Sequence, residues 1–266
     1  VLLPAAEHLP PDPREERLAA LYAYGPPSRA AHVVRANMVA SVDGAAWGPD
    51  HRSGSINDDA DWRVFRVLRA LADVVLVGAG TARAEGYTAL DRPRGLRHLH
   101  DAPLELAIVT RTGRVPETLA HGDRPPYVLT GPGGAATARR DVPADRVLVV
   151  GHDAAGAQDE HEPGAVDLAA GLAVLADRGL ARVLTEGGPT LLGDLLAADL
   201  VDELCVTTTP TVVGRGPGRI VAGTAPSGTT ALPPRGARLA HLLHSPEDRP
   251  GSPAGTTAAR WLLPIG

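Results

Sequence analysis

Residues 182–196, RVLTEGGPTLLGDLL, constrain the fold more than any other part of the chain. A short apolar run ends in Thr185-Glu186-Gly187-Gly188-Pro189, and a leucine-rich amphipathic stretch follows. The two glycines allow close approach of backbone to a ligand. Pro189 suits the first position of a helix, where its missing N–H costs nothing. A helix opening off a strand end is a seat for phosphate, because its free N–H groups and dipole point at the anion. Glu186 stands at the same mouth, so an anion cradle and a carboxylate come together. That pairing points to a phosphorylated ligand with proton chemistry beside it.

The same grammar recurs along the chain. Residues 31–40 (AHVVRANMVA) read as a buried strand turning at Ser41-Val42-Asp43-Gly44, with Asp43 at its end. Asn57 is placed to cap a helix running to about Ala72, with Ala60, Val64, Val67, Leu68 and Leu71 on one face. Residues 73–77 form a continuous apolar strand, followed by the turn Gly78-Ala79-Gly80-Thr81 and a short helix over 82–85. Further strands are expected at 104–110, 127–130, 146–150 and 181–185, and helices at 165–178 and 189–198. The last quarter changes character. Strands at 203–213, 238–244 and 257–263 follow one another, with a polar loop at 245–255. Alternating strands and helices, then consecutive strands, give an α/β fold: a mainly parallel central sheet flanked by helices, with an antiparallel C-terminal edge. Residues 1–30 read as an N-terminal arm, its short helix opening at Asp12-Pro13-Arg14-Glu15, and 31–266 as one domain. Gly131–Gly134 (GPGG) and Arg215–Arg219 (RGPGR) read as loops.

Composition removes several classes of function. A net charge of -5 gives no support for nucleic-acid binding. No apolar run reaches the length of a membrane span, and Pro4 interrupts the opening Val1-Leu2-Leu3. The lone Cys205 excludes an intrachain disulfide and an all-cysteine metal site. The ten histidines fall at no metal-ligand spacing, so no metal is expected, and a cytoplasmic location is the default. All 26 basic residues are arginine. A lysine Schiff base and the P-loop with its phosphate-binding lysine are therefore both excluded.

Three strand-to-loop junctions carry the candidate chemistry: SVDG at 41–44, VGAGTARAEG at 77–86 and TEGGP at 185–189. Ligands of open α/β sheets bind outside the carboxyl ends of the strands, where all three junctions fall, so one crevice is expected to gather them. Gly78 and Gly80 supply two of the three glycines of the dinucleotide fingerprint, and Arg83 takes the place of the third. Thr81 is placed to cap a helix or hold a phosphate oxygen, and Arg83 to pair with an anion or lie in solvent. Thr110-Arg111-Thr112, after another strand, offers a hydroxyl and a guanidinium to a 2′-phosphate, or is an ordinary polar loop. Asp43 is either a functional acid or an aspartate favoured before glycine in a turn. Glu186 is the stronger candidate acid, since turns make no special demand for glutamate.

In this order and spacing, NMVASVDG (37–44), LRALADVVLVGAGTARAEGY (68–87) and VLTEGGPTLLGDLLAADLVDELCVTTTPTVVG (183–214) resemble the reductase domain of the bifunctional riboflavin-biosynthesis deaminase-reductases. The resemblance covers most of residues 31–263 and implies a dihydrofolate-reductase-like fold. It further implies NADPH as hydride donor, a homodimer, and reduction of a phosphorylated ribosylamino-pyrimidine from ribosyl to ribityl. With no deaminase-like segment ahead of it, the chain is expected to be a stand-alone reductase. The resemblance directs Gly78, Gly80, Thr81, Gly187 and Gly188 toward the cofactor phosphates, and Arg83, Pro189 and Thr190 are further candidates for cofactor binding. Thr110 and Arg111 fall toward the adenosine end. Asp43 and Glu186 become the catalytic carboxylates, and Asn37, Ser41 and Glu85 lie on the substrate side. Two positions depart from the family. Asn37 stands where many riboflavin reductases have lysine, and Glu85-Gly86-Tyr87-Thr88-Ala89-Leu90 replaces a segment of the type Asp-Pro-x-Leu-x-x-Arg that helps hold the substrate phosphate. Dihydrofolate or pterin reduction on the same fold, and a non-catalytic NADPH-binding protein, are the alternatives.

Overall fold

The structure, a computed structural model, describes residues 6–26, 31–151, 165–223, 234–246 and 254–264. Among the described residues nine strands form one sheet in the order β5-β4-β3-β2-β6-β1-β7-β9-β8. They are β1 (Val33–Ser41), β2 (Val74–Gly78), β3 (Glu105–Val109), β4 (Tyr127–Thr130), β5 (Val147–Val149), β6 (Arg182–Thr185), β7 (Glu203–Thr209), β8 (Arg238–His244) and β9 (Thr257–Leu262). β1 to β7 pair in parallel, and β9 and β8 add to β7 antiparallel. The expected architecture, parallel sheet and antiparallel C-terminal edge, is the one observed.

Helices cover both faces, which is why the central strands are apolar at nearly every position. β2 is the clearest case: Val74 to Val77 are all fully buried. On one face lie α1 (Glu16–Leu21), α2 (Asp59–Leu71), α3 (Ala79–Glu85) and α4 (Pro132–Asp141), contributing Leu18, Val67, Leu68, Ala82 and Ala138 to one core. On the other, α5 (Leu168–Asp177) and α6 (Pro189–Ala197) contribute Leu172, Leu175, Leu192 and Leu195 to a second.

Three details differ from the sequence expectation. The GPGG segment opens α4, with Pro132 in its first turn, where a loop was expected. Small residues suit that helix: the Gly113 and Gly134 backbones meet so closely that a Cβ on Gly113 would lie 1.9 Å from the Gly134 carbonyl oxygen. The cap of α2 is Asp58 rather than Asn57, its carboxylate accepting the Asp61 N–H at 2.9 Å. In the arm, Asp12 caps a turn through the Arg14 N–H, and α1 begins only at Glu16. Residues 247–253 of the expected 245–255 loop lie outside the described residues.

Candidate active site

β2 and β6 are adjacent in the sheet, and their carboxyl ends bring the second and third junctions together. β1, level with Thr185 at Ala36, instead runs on to Ser41 and carries SVDG past them to the rim. The Gly78 N–H donates to the Gly187 carbonyl at 2.8 Å, and the Glu186 N–H donates to Leu76 O at 3.1 Å, clamping the second junction to the third. Gly187 has φ 80°, and the Gly187–Gly188 peptide is cis. Gly188 is required by contact: a Cβ there would lie 2.3 Å from the Thr81 hydroxyl. Gly80 is different, since a Cβ there would meet nothing within 4 Å.

A cavity of about 550 Å³ opens beside these junctions, within the usual range for a small-molecule site. Its walls come from β1 (Asn37, Met38), α2 (Asp61, Trp62, Phe65, Arg69), α3 (Gly80, Thr81, Glu85), the following loop (Tyr87) and the TEGGP turn (Glu186, Gly188, Pro189). Of the residues singled out from sequence, Asn37, Gly80, Thr81, Glu85, Glu186, Gly188 and Pro189 therefore line one cavity. Gly78 and Gly187 support it through their backbone bond.

Glu186 is fully engaged. The Arg69 guanidinium grips both carboxylate oxygens at 2.7 Å, and the Tyr87 hydroxyl donates to Oε2. The Glu186 side chain is only 4% exposed, and a bidentate arginine is the arrangement that makes a buried carboxylate tolerable. Burial tends to lower the Arg69 pKa, but the charge and hydrogen bonds of Glu186 more than offset it, and the net shift is upward. Burial, reinforced by the Glu186 charge, raises the Tyr87 phenol well above its ordinary value. Arg69 also lies over the Phe65 ring, 4.2 Å from its centroid. The triad joins α2, the loop after α3 and the TEGGP turn.

Asp43 lies on the exposed rim, outside the cavity lining. It accepts from the Ser41 hydroxyl, from Gly214 N at 2.8 Å and from Val213 N at 3.2 Å, which hold its pKa at about 2. Ser41 in turn accepts the Ala45 N–H at 2.9 Å. The SVDG turn is thus tied to the segment following β7 by an ionised aspartate.

The remaining candidates spread along the carboxyl edge of the sheet. Thr110 is buried after β3, its N–H donating to Leu129 O at 3.0 Å, and Arg111 beside it is exposed. The Arg111 charge acts on Asp194 of α6. Arg83 and Thr190 are exposed on α3 and α6. Glu85 accepts the Ser53 N–H at 2.8 Å, pinning the loop that roofs the cavity.

Sequence reasoning passed over Asp61, Phe65, Arg69 and Tyr87. The first three recur every four residues along α2 and form one stripe facing the cavity. That period was the available signal: a carboxylate and a guanidinium in register with an aromatic.

The residues present fit a dinucleotide. Gly188 caps α6 without any side-chain hydrogen bond to the helix N-terminus, so no side chain fills the opening turn where a phosphate would sit. The Thr81 hydroxyl and the open face of Gly80 adjoin it. Among the described residues no group of His, Cys, Asp and Glu gathers as a metal site, and no helix is long and apolar enough to cross a membrane.

The 2,5-diamino-6-ribosylamino-4(3H)-pyrimidinone 5′-phosphate reductase of Archaeoglobus fulgidus is 29% identical over 184 residues, 67% of this chain and 80% of that protein. A pyrimidine reductase-like protein from Corynebacterium diphtheriae superposes with a TM-score of 0.68 at 20% identity, covering 93% of this chain and 99% of that one. The Thermotoga maritima diaminohydroxyphosphoribosylaminopyrimidine deaminase/5-amino-6-(5-phosphoribosylamino)uracil reductase superposes with a TM-score of 0.60 at 16% identity, over 88% of this chain and 57% of that one. Residues 32–244 match the RibD C-terminal domain, and the chain belongs to that family.

Proposed function

We propose that the protein is an NADPH-dependent reductase that converts the ribosyl group of a 5-phosphoribosylamino-pyrimidine to ribityl in riboflavin biosynthesis. The observation that carries this reading is the meeting of the glycine-lined α6 opening with a cavity beside β1 and the ends of β2 and β6. Membership of the RibD C-terminal domain family supports it, as does the activity for which the archaeal relative is named.

When bound, the cofactor supplies hydride to C1′ of the ring-opened imine, and the protein's contribution is position and charge. Gly80, Thr81, Gly187, Gly188 and the start of α6 at Pro189 and Thr190 hold the phosphates. Gly78 keeps the two glycine turns together. Thr110 and Arg111, next along the strand ends, reach toward the adenosine, with Arg83 contributing positive charge at the rim. Glu186 acts through Arg69 and Tyr87, fixing the turn at the active centre. Asp43, ionised at all physiological pH, orients the reacting end and holds the Val213–Gly214 segment at the rim. Asn37 and Glu85 face the substrate side, and Ser41 sets the Asp43 carboxylate.

Titration with NADPH and NADH, followed by addition of the ribosylamino-pyrimidine phosphate, tests the reading. Selective NADPH binding and substrate-dependent loss of reduced-cofactor absorbance are expected. Oxidation by dihydrofolate instead would move the assignment to the pterin alternative, and absence of NADPH binding would end it.

A further inference from the structure

Two buried polar atoms in the cavity have no partner within the protein: Oδ1 of Asp61 and Oδ1 of Asn37. Asp61 is 3% exposed and Asn37 8%. Asp61 sits in the first turn of α2, and its other carboxylate oxygen takes a hydrogen bond from the Thr207 hydroxyl of β7. Asn37 projects from β1, two residues before Val39, which pairs with Thr207. Buried polar groups without partners are rare in native proteins and mark places where a ligand or water completes the set. Here both unpaired atoms are acceptors. No arginine of the described residues forms an ion pair with Asp61.

We propose that Asp61 is the residue that selects the base of the substrate, accepting hydrogen bonds from a 2-amino group and the adjacent ring N–H, so that the enzyme reduces a 2-amino-4(3H)-pyrimidinone in preference to the corresponding uracil. The inference rests on the reductase reading above. The chemistry is a matching of edges. A carboxylate only accepts, and the amino-pyrimidinone presents two donors side by side. Uracil presents one donor flanked by carbonyl oxygens, which would face the carboxylate with lone pair against lone pair. A site built to satisfy a buried polar group discriminates strongly against the analogue that leaves it unpaired. Asn37 adds a second buried, unpaired acceptor on the β1 wall of the same cavity.

The experiment compares kcat/KM for 2,5-diamino-6-ribosylamino-4(3H)-pyrimidinone 5′-phosphate and 5-amino-6-(5-phosphoribosylamino)uracil, using wild type and Asp61→Asn. Wild type should favour the diamino substrate by at least about tenfold, the worth of one charge-assisted hydrogen bond. An asparagine offers one acceptor and one donor, the complement of the uracil edge, so Asp61→Asn should reverse the preference. A purely structural role would lower both rates together and leave their ratio unchanged, and that result overturns the proposal. So does a wild type that favours uracil. Reduction of neither phosphate would count against the reductase reading. Asp61 then remains decidable by ligand-observed NMR with the free bases 2-amino-4(3H)-pyrimidinone and uracil. Tighter binding of the amino base by wild type, lost in Asp61→Asn, supports the assignment; equal binding removes it.

Discussion

Three hydrogen-bond donors meet the Glu186 carboxylate, and their loss should be felt as stability before it is felt as chemistry. Arg69→Met keeps an unbranched apolar stem and leaves a carboxylate buried with only Tyr87 for company. Breaking one partner of a buried pair costs about 3–5 kcal/mol, and urea denaturation at pH 7 should register a loss of that order. A double substitution, Arg69→Met with Glu186→Gln, should recover part of it by removing the orphaned charge. The opposite behaviour is expected at Asp61. Burial pushes its carboxyl up to about 6, with the Thr207 hydroxyl pulling down and the nearby Asp58 charge pushing up. The native state then holds the proton more tightly than the unfolded chain. The contribution of Asp61 to stability is most favourable below about pH 4 and declines as pH rises through about 6. Asp61→Asn should therefore be more stable than wild type at pH 8, by up to about 3 kcal/mol for a shift of about two pH units. That advantage should shrink toward zero near pH 4. A residue kept against a stability cost is what a binding group looks like. Asp43 behaves differently again. Its depressed pKa means that its stabilising bonds to Ser41, Val213 and Gly214 persist down to about pH 2. No step in the pH–rate profile between pH 5 and 8 should belong to it.

Elements reveal where sequence carries information and where it does not. The strands were legible because a strand covered on both faces has no polar alternation to confuse: Val74 to Val77 and Tyr127 to Thr130 stand out as short apolar runs. TEGGP was legible because proline and glycine punctuate a strand-to-helix passage in only a few ways. The α4 helix was hidden because GPGG has loop composition, and only the tight Gly113–Gly134 contact makes small residues there a packing requirement. The substrate wall was hidden for another reason. Asp61 and Arg69 look like solvated helix charges in sequence, and their burial depends on β7 and the TEGGP turn arriving from more than a hundred residues away. The cofactor side can be tested through α3. Gly80 sits in that helix with open space where a Cβ would go, so Gly80→Ala should not harm the fold. Alanine in a helix is worth roughly 0.5–1 kcal/mol over glycine. Equal or improved thermal stability together with weakened NADPH binding, measured by fluorescence titration, is the expected pair of results. Unchanged NADPH affinity would show that the phosphates do not approach Gly80.

Across the whole molecule, the site end and the opposite end of the sheet are held by different means. The carboxyl edge is a set of short turns clamped to one another. The amino edge is closed by the N-terminal arm, which is woven into the core through Leu18, Ala19 and Tyr22. Arg35 of β1, wholly buried, donates to Glu203 at 2.6 Å and to the Tyr22 carbonyl at 2.7 Å, and lies over the Tyr24 ring at 4.0 Å. Arg260 of β9 donates to Glu203 as well and to the Leu21 carbonyl at 2.5 Å. Two arginines thus share one glutamate, and arm carbonyls take the Nη1 donor of each, while Arg35 Nη2 is buried without a hydrogen-bond partner. Burial works to raise the Glu203 pKa, but the arginines outweigh it and the carboxyl stays below its ordinary range. Its contribution is then present at neutral pH and lost as pH falls through that depressed value. Removing residues 1–26 would strip those carbonyls and the Tyr24 ring from Arg35 and Arg260 and expose the face of α2 that Leu18 covers. Each buried charged donor left unpaired costs about 1–3 kcal/mol or more. The truncated protein should therefore unfold at clearly lower urea concentration than the full chain. The arm touches the amino edge and the back of α2 and does not line the cavity, so NADPH affinity measured at low temperature on the still-folded fraction should be unchanged. Loss of cofactor binding in step with folding would instead mean that α2 needs the arm to hold Arg69 and Asp61 in place.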